Sequence, residues 1–159
     1  MESNIIYENL ALCPQFVDNV AKCWHIEWSS DKSAAGFTKK RQSIISKLNT
    51  NKVPFILIAH NNKQFIGSVA LFEHDLDSHQ DLSPWISGVY TVPEYRGYGV
   101  AKTLICKVLN QAKKLEYDKI YLHTERTAGL YIRLGWTKLC DCRNDQGEPS
   151  EIFFLQYNS

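Results

Sequence analysis

The segment Val89 to Thr103, VYTVPEYRGYGVAKT, holds the densest set of residues able to do chemistry. It opens with β-branched and aromatic residues, is closed by Pro93, and then passes through Gly97 and Gly99 into a run with apolar residues at helical spacing. A strand that turns through glycines into a helix is an anion-binding arrangement. The first N–H groups of a helix lack intrahelical partners and carry the positive end of its dipole, and glycines let phosphates approach the backbone. Arg96 and Lys102 add full positive charge beside it. A plain strand-to-helix turn would use the same glycines for backbone geometry alone.

Two common phosphate loops do not fit these letters. A mononucleotide loop ending in Lys102 and Thr103 needs glycines where Arg96 and Ala101 stand. A dinucleotide fingerprint beginning at Gly97 needs its last glycine at Lys102, and leaves too little chain behind it for a doubly wound sheet.

The elements that must position this turn follow from periodicity. Asn4 to Leu12 is strand-like, and after Pro14 the residues Phe16, Val17, Val20, Cys23, Trp24 and Trp28 recur as on one helix. Thr38 is expected to cap a second helix that turns Ile44, Ile45 and Leu48 inward. Pro54 to His60 and Gln64 to Phe72 read as a hairpin, followed by a longer loop, Glu73 to Pro84, and a strand from Trp85 to Val92. Ala101, Leu104, Ile105, Val108, Leu109, Ala112 and Leu115 stripe the helix after the glycine turn. Lys119 to Thr124 is a strand, Ala128 to Leu134 a short helix stopped by Gly135, and Trp136 to Cys142 and Glu151 to Tyr157 close the chain as strands. The order β α α β β β α β α β β predicts a mixed α/β (α+β) fold in one domain, residues 1–159.

Composition limits what such a domain does. With 159 residues and 44% hydrophobic residues the chain can bury a core. Eighteen basic against seventeen acidic side chains leave a net charge of +1, so no global field favours nucleic acid or a membrane surface. Five cysteines at irregular spacing, with no apolar run like a secretory signal or a membrane span, point to a reducing cytoplasm. Cys140 and Cys142 share a strand face but lack further ligands at metal spacing, so no metal is expected.

Beyond these local readings, VPEYRGYGVA resembles the central motif of the GNAT superfamily of N-acetyltransferases, R/Q-x-x-G-x-G/A, with Arg96, Gly99 and Ala101 in its fixed places. AGLYIRLGW, from Ala128 to Trp136, is similar to that superfamily's second conserved block. The resemblance covers nearly the whole chain in element order. It implies a splayed mixed sheet of about six to seven strands with about four helices, and acetyl-CoA as cosubstrate between the strand ending at Val92 and that beginning near Lys119. It further implies that the backbone of Tyr90, Thr91 and Val92 holds pantetheine. The N–H groups of Gly97, Tyr98, Gly99, Val100, Ala101 and Lys102, beside Arg96, would hold the pyrophosphate. Tyr131 would protonate the departing thiolate, being almost wholly protonated at neutral pH with a reference pKa of about 10.

The sequence departs from the family where an asparagine often holds the cofactor, since Thr124 stands there, and it offers no plain general base. His123 and Glu125 are the nearest candidates. Without a base, an amine of pKa about 10.4 costs about 4.6 kcal/mol to deprotonate at pH 7, whereas an α-amine near 7.8 costs about 1. The expected activity is acetyl transfer to a primary amine, small or peptide-borne, by direct attack in a ternary complex. No cysteine has the setting of an acyl carrier. The competing reading is a non-catalytic acyl-CoA-binding or sensing module. Either is compatible with a monomer or homodimer. The loop EHDLDSHQDLSP carries Glu73, Asp75, Asp77 and Asp81 and no lysine or arginine; with Trp85, Glu27 and Asp31 it is expected to form an acidic acceptor mouth for a cationic amine.

Overall fold

A computed structural model describes residues 4–157. Seven strands form one sheet in the order β1-β2-β3-β4-β5-β7-β6, where β1 is Ile6–Asn9, β2 Phe55–His60, β3 Phe65–Phe72, β4 Trp85–Thr91, β5 Lys119–Thr124, β6 Thr137–Arg143 and β7 Pro149–Gln156. Four helices accompany it: α1 Val17–Trp28, α2 Ala34–Ile45, α3 Val100–Lys114 and α4 Ala128–Arg133. The mixed fold and element order are those the sequence implies. Helices cover both faces, which is why β2 and β3 are almost continuously buried and apolar rather than alternating. One face packs Ile66, Val69 and Leu71 under Val100, Leu104, Ile105 and Val108 of α3. The other sets Ile56, Ile58 and Ala70 against Val17, Val20, Ala21 and Trp24 of α1.

Three local expectations are corrected. The first strand stops at Asn9, whose side chain accepts the Ala11 N–H at 2.8 Å and turns the chain into a 3-10 turn, Leu10–Leu12. The second helix is capped by Ser33, not Thr38: Ser33 Oγ accepts the Gly36 N–H at 3.2 Å, while Thr38 donates back to Ala34 O inside the helix. That helix also ends before Leu48 and leaves Ile45 exposed, with Ile44 alone fully inward.

The feature that matters for function is a fault in the sheet. β4 and β5 run parallel and pair only at Trp85↔Tyr121. Beyond that point they part, and β5 continues with β7 on its other edge. A bulge bends β4 just there: Ser68 pairs with Tyr90 and Ala70 with Ser87, so Val69 opposes both Gly88 and Val89. The parted carboxyl ends of strands are where open α/β sheets bind ligands. Among the described residues no helix is long and apolar enough to cross a membrane.

Candidate functional site

The glycine turn lies at the carboxyl end of β4, on one lip of the gap. Gly97 and Gly99 have φ of +88° and +80°, and Gly99 stands at the N-cap of α3 with no side chain to cap it. The first helical bond runs from Thr103 N to Gly99 O at 3.0 Å, so the N–H groups of Val100, Ala101 and Lys102 have no backbone acceptor. Tyr98 and Lys102 are exposed beside them. Arg96 is tied to the strand: its Nε donates to Thr91 O at 2.9 Å and its guanidinium lies 5.7 Å from the Tyr90 ring centre.

Of the three β4 residues expected to hold pantetheine through their backbone, one faces the gap. Val92 N bonds Ile66 O at 2.9 Å. In an antiparallel ladder, inward and outward residues alternate, so Tyr90 also turns its polar groups to β3. Thr91 turns its N–H and C=O to the open edge. The reading for Tyr90 and Val92 is thus corrected to a side-chain or supporting role.

The bulge is held by a buried network that sequence reasoning did not find. Trp24 Nε1 donates to Ser68 Oγ at 2.9 Å, and Ser68 Oγ donates to Gly88 O at 2.7 Å. Ser68 is fully buried. Gly88 has φ of +63°, and a Cβ there would lie 2.3 Å from the Trp24 ring, so only glycine fits. The hydroxyl pins the plane of the Gly88–Val89 peptide, whose N–H lies on the side opposite its carbonyl.

On the other lip, Tyr131 of α4 is buried, packed edge-on against Trp136 with ring centres 6.0 Å apart. Burial pushes its phenol up to about 12, against a hydrogen bond with Thr127. Thr124 Oγ1 is engaged in the turn that starts α4, bonding Thr127 Oγ1 at 2.8 Å and accepting Thr127 N–H at 3.0 Å. Thr124 Oγ1 thus helps form the turn that starts α4.

His123 is clasped from both sides. Its Nε2 lies 3.0 Å from Asp75 Oδ2, and its Nδ1 lies 3.1 Å from both Glu125 Oε2 and Ser150 Oγ. Burial alone would push the imidazole pKa down, but the two carboxylates outweigh it and lift it to about 9. Glu125 is held below the usual carboxylate range by the His123 bond, against burial, and by Ser150, which donates at 2.7 Å. With Asp75 on one nitrogen and Glu125 and Ser150 on the other, this clasp favours the imidazolium, and a protonated His123 is a poor general base. Ser150 and Ser87, which donates to Asp75 Oδ1 at 3.0 Å, were missed for want of any local signal.

The residues expected at the acceptor mouth separate. Asp75 belongs to this clasp. Trp85 is fully buried and its Nε1 donates to Leu82 O at 2.7 Å, so its side chain has no surface with which to line a mouth. Asp77 and Asp81 are exposed, and the Asp77 N–H reaches Asp145 Oδ1 at 3.2 Å, tying the loop to the β6–β7 turn. Glu27 and Asp31 are exposed at the end of α1 and beyond it. Asp31 is held below its ordinary pKa by bonds from Ser33 Oγ and N at 2.5 and 2.9 Å.

Among the described residues, Glu8, Cys13 and His60 form a compact group of possible metal ligands at the far edge of the sheet. His60 Nδ1 accepts the Asn62 N–H at 3.0 Å, which leaves the proton on Nε2, 2.6 Å from Glu8 Oε1. A protonated Nε2 cannot ligate. Burial, with Glu8 nearby, pushes the Cys13 thiol up to about 12, so the trio acts as a tie between β1 and β2.

The chain is similar to several known proteins. The chain resembles an aminoglycoside 6'-N-acetyltransferase complexed with coenzyme A (TM-score 0.75, 11% identity, 97% of this chain and 98% of that one). It also resembles a putative acetyltransferase from Salmonella typhimurium with its cofactor acetyl-CoA (TM-score 0.70, 12% identity, 98% and 95%). A third likeness is to a spermidine N-acetyltransferase from Vibrio cholerae (TM-score 0.67, 20% identity, 97% and 94%). Among curated proteins none matches. These structural likenesses establish the fold; the family rests on a match to the acetyltransferase (GNAT) domain over residues 53–138, which spans the bulged strand, the glycine turn and the Tyr131 helix. With more than half its length in that match, the chain belongs to the GNAT acetyltransferase family.

Proposed function

We propose that this protein, as one domain over residues 1–159, transfers the acetyl group of acetyl-CoA to a primary amine by direct attack in a ternary complex. The observation that carries this reading is the parted β4–β5 edge with the uncapped N-terminus of α3 at its mouth. Pyrophosphate oxygens would take the N–H groups of Val100, Ala101 and Lys102, with Arg96, Gly97 and Gly99 shaping the approach. Pantetheine would lie along the open edge of β4 and bond Thr91. The N–H of the pinned Gly88–Val89 peptide is the donor for the thioester oxygen as charge grows on it.

Tyr131 supplies the proton to sulfur. A phenol held near 12 is a weaker acid than a thiol near 8.5, so Tyr131 donates a hydrogen bond to the developing thiolate, and the proton it passes to sulfur is replaced through water by the one the attacking amine sheds. With His123 clasped by two carboxylates that favour its charged form, the attacking amine sheds its proton through water. That favours an amine of low pKa. Five cysteines without a disulfide among the described residues support placement in the reducing cytoplasm.

Purified protein mixed with acetyl-CoA and a panel of amines should release free CoA only when an amine is present. Binding of acetyl-CoA without amine-dependent release would overturn the transferase reading in favour of an acyl-CoA sensor. Failure to bind acetyl-CoA would overturn both.

A further inference from the structure

Beside the acidic loop lies a surface that carries lysines. A hollow of about 320 Å³ lies between the α1–α2 connection, α2 and the β6–β7 turn, and Trp28, Asp31, Lys39, Lys40, Ser43 and Gln146 are among its lining. It is shallow and opens broadly to solvent. Lys40 and Ser43 lie on α2, and Lys47, in the turn just past its end, follows at continuing helical spacing. Both lysines are half-buried, and burial lowers both pKa values; Asp75 opposes the shift of Lys40, and Lys40 adds to that of Lys47.

The two lysines differ in their partners. Lys47 bonds Ser43 and lies 5.3 Å from the Phe72 ring centre. Lys40 has no carboxylate within 4.0 Å among the described residues. Asp75, whose charge opposes the shift of Lys40, gives its two oxygens to His123 and Ser87. Asp31, in the same hollow, is engaged with Ser33. A half-buried ammonium without a direct partner is costly, and a bound anion offsets that cost through charge-assisted hydrogen bonds. The β6–β7 turn that brings Gln146 over the hollow is fastened to the acidic loop by the Asp77–Asp145 bond, so the hollow and the carboxylate cluster adjoin.

We propose, on the basis of the transferase reading, that the acceptor is a small primary amine bearing its own carboxylate, of amino-acid size. Its carboxylate sits on Lys40 and Lys39, and its amine turns toward Asp75 and the β4–β5 gap. Trp28, exposed by 43%, gives the carbon skeleton an apolar wall. A dication, which the acidic loop taken alone would attract, sets its second ammonium against Lys40.

The test compares α-amino acids with their own carboxamides and with 1,4-diaminobutane, reading CoA release from acetyl-CoA. The free acids should exceed their carboxamides in kcat/KM by about tenfold or more, the size of one charge-assisted hydrogen bond. Lys40→Met should bring that ratio close to one, and Lys40→Arg should restore it. Carboxamides or the diamine serving as well as the acids, or Lys40→Met lowering acid and carboxamide equally, overturns the acceptor assignment while leaving acetyl transfer standing. No CoA release with any of these compounds, while other amines give amine-dependent release, overturns the acceptor assignment alone; no amine-dependent release with any amine overturns the transferase reading, and the assignment with it.

Discussion

The two sides of the β4–β5 gap are built on different principles. The side proposed for the cofactor is backbone: an uncapped helix start, glycines at positive φ and an open strand edge, all within the stretch from Gly88 to Lys102. The side proposed for the acceptor is side chains gathered from distant places, with Asp75 from a loop, His123 and Glu125 from β5 and its end, Lys40 from α2 and Gln146 from a turn. Backbone donors serve any phosphate and tolerate much side-chain change around them, whereas a pocket of assembled side chains changes its ligand with a single substitution. Cofactor use is therefore shared across a family, while acceptor choice belongs to the individual chain.

Breaking the backbone side should have the largest effect. Gly99→Val puts a β-branched residue at φ of +80°, which costs about 1–3 kcal/mol of strain, and adds bulk where phosphates would lie. Acetyl-CoA affinity should fall by about 100-fold or more. Calorimetry on the folded variant checks this, and parental affinity would remove the phosphate from the turn. Next in size, Tyr131→Phe should lower kcat by about 100-fold with little change in acetyl-CoA affinity, because the ring stays packed on Trp136. Equal losses in kcat and affinity would make Tyr131 a positioning residue.

The same contrast explains what was legible in the sequence. The turn from Arg96 to Lys102 could be read because its chemistry lies in consecutive residues whose types carry the geometry. α3 was equally plain, since an unbroken apolar stripe fixes both its period and its buried face. The His123 clasp could not be read: Asp75, Ser87, Glu125 and Ser150 have no fixed spacing, and the charge of a histidine depends on what surrounds it in space. Trp85 misled for the same reason, since a tryptophan beside an acidic loop looks like a lining residue until the sheet buries it. The Trp24–Ser68–Gly88 network joins residues far apart in the chain, yet a glycine inside a strand is itself a sign of a bulge or a close approach, and Gly88 carried that sign.

That network offers a sharper cut between the two sides. Ser68→Ala leaves the Trp24 N–H and the Gly88 carbonyl unpaired in the core, a cost of about 1–3 kcal/mol, and frees the Gly88–Val89 peptide to tilt. We expect kcat to fall by about tenfold with acetyl-CoA affinity nearly unchanged, because the glycine turn is untouched. Ser68→Thr, which keeps the hydroxyl, should recover part of the loss. A variant that loses thermal stability but keeps kcat would show that the network serves the fold and not the peptide donor.

The smallest expected effect, and the one that isolates the acceptor side, is the pH dependence of the His123 clasp. The folded pKa of about 9 lies above the ordinary value of about 6.5. The clasp therefore contributes its full stabilisation below about pH 6.5 and loses it as pH rises through about 9. On the acid side, Glu125 is held below its ordinary range, so its share is present above about pH 4.5 and is lost as pH falls through its lowered value. The groups facing the imidazole are Asp75, Glu125, Ser150 and the edge of Trp85, with Lys40 near enough to feel Asp75. His123→Gln keeps hydrogen-bonding capacity but removes the charge. Partial exposure of both carboxylates screens the pair, which limits the difference to a few kcal/mol at most, or several degrees in Tm for a chain of this size. The Tm gap between wild type and His123→Gln should be widest between about pH 5 and 7 and should close toward pH 10. KM for the acceptor should rise over the same alkaline range as the acidic loop loosens, while acetyl-CoA affinity stays level because no backbone donor titrates. A Tm gap that persists unchanged to pH 10 would mean that His123 acts by shape and not by charge, and the acceptor mouth would then owe nothing to the imidazolium.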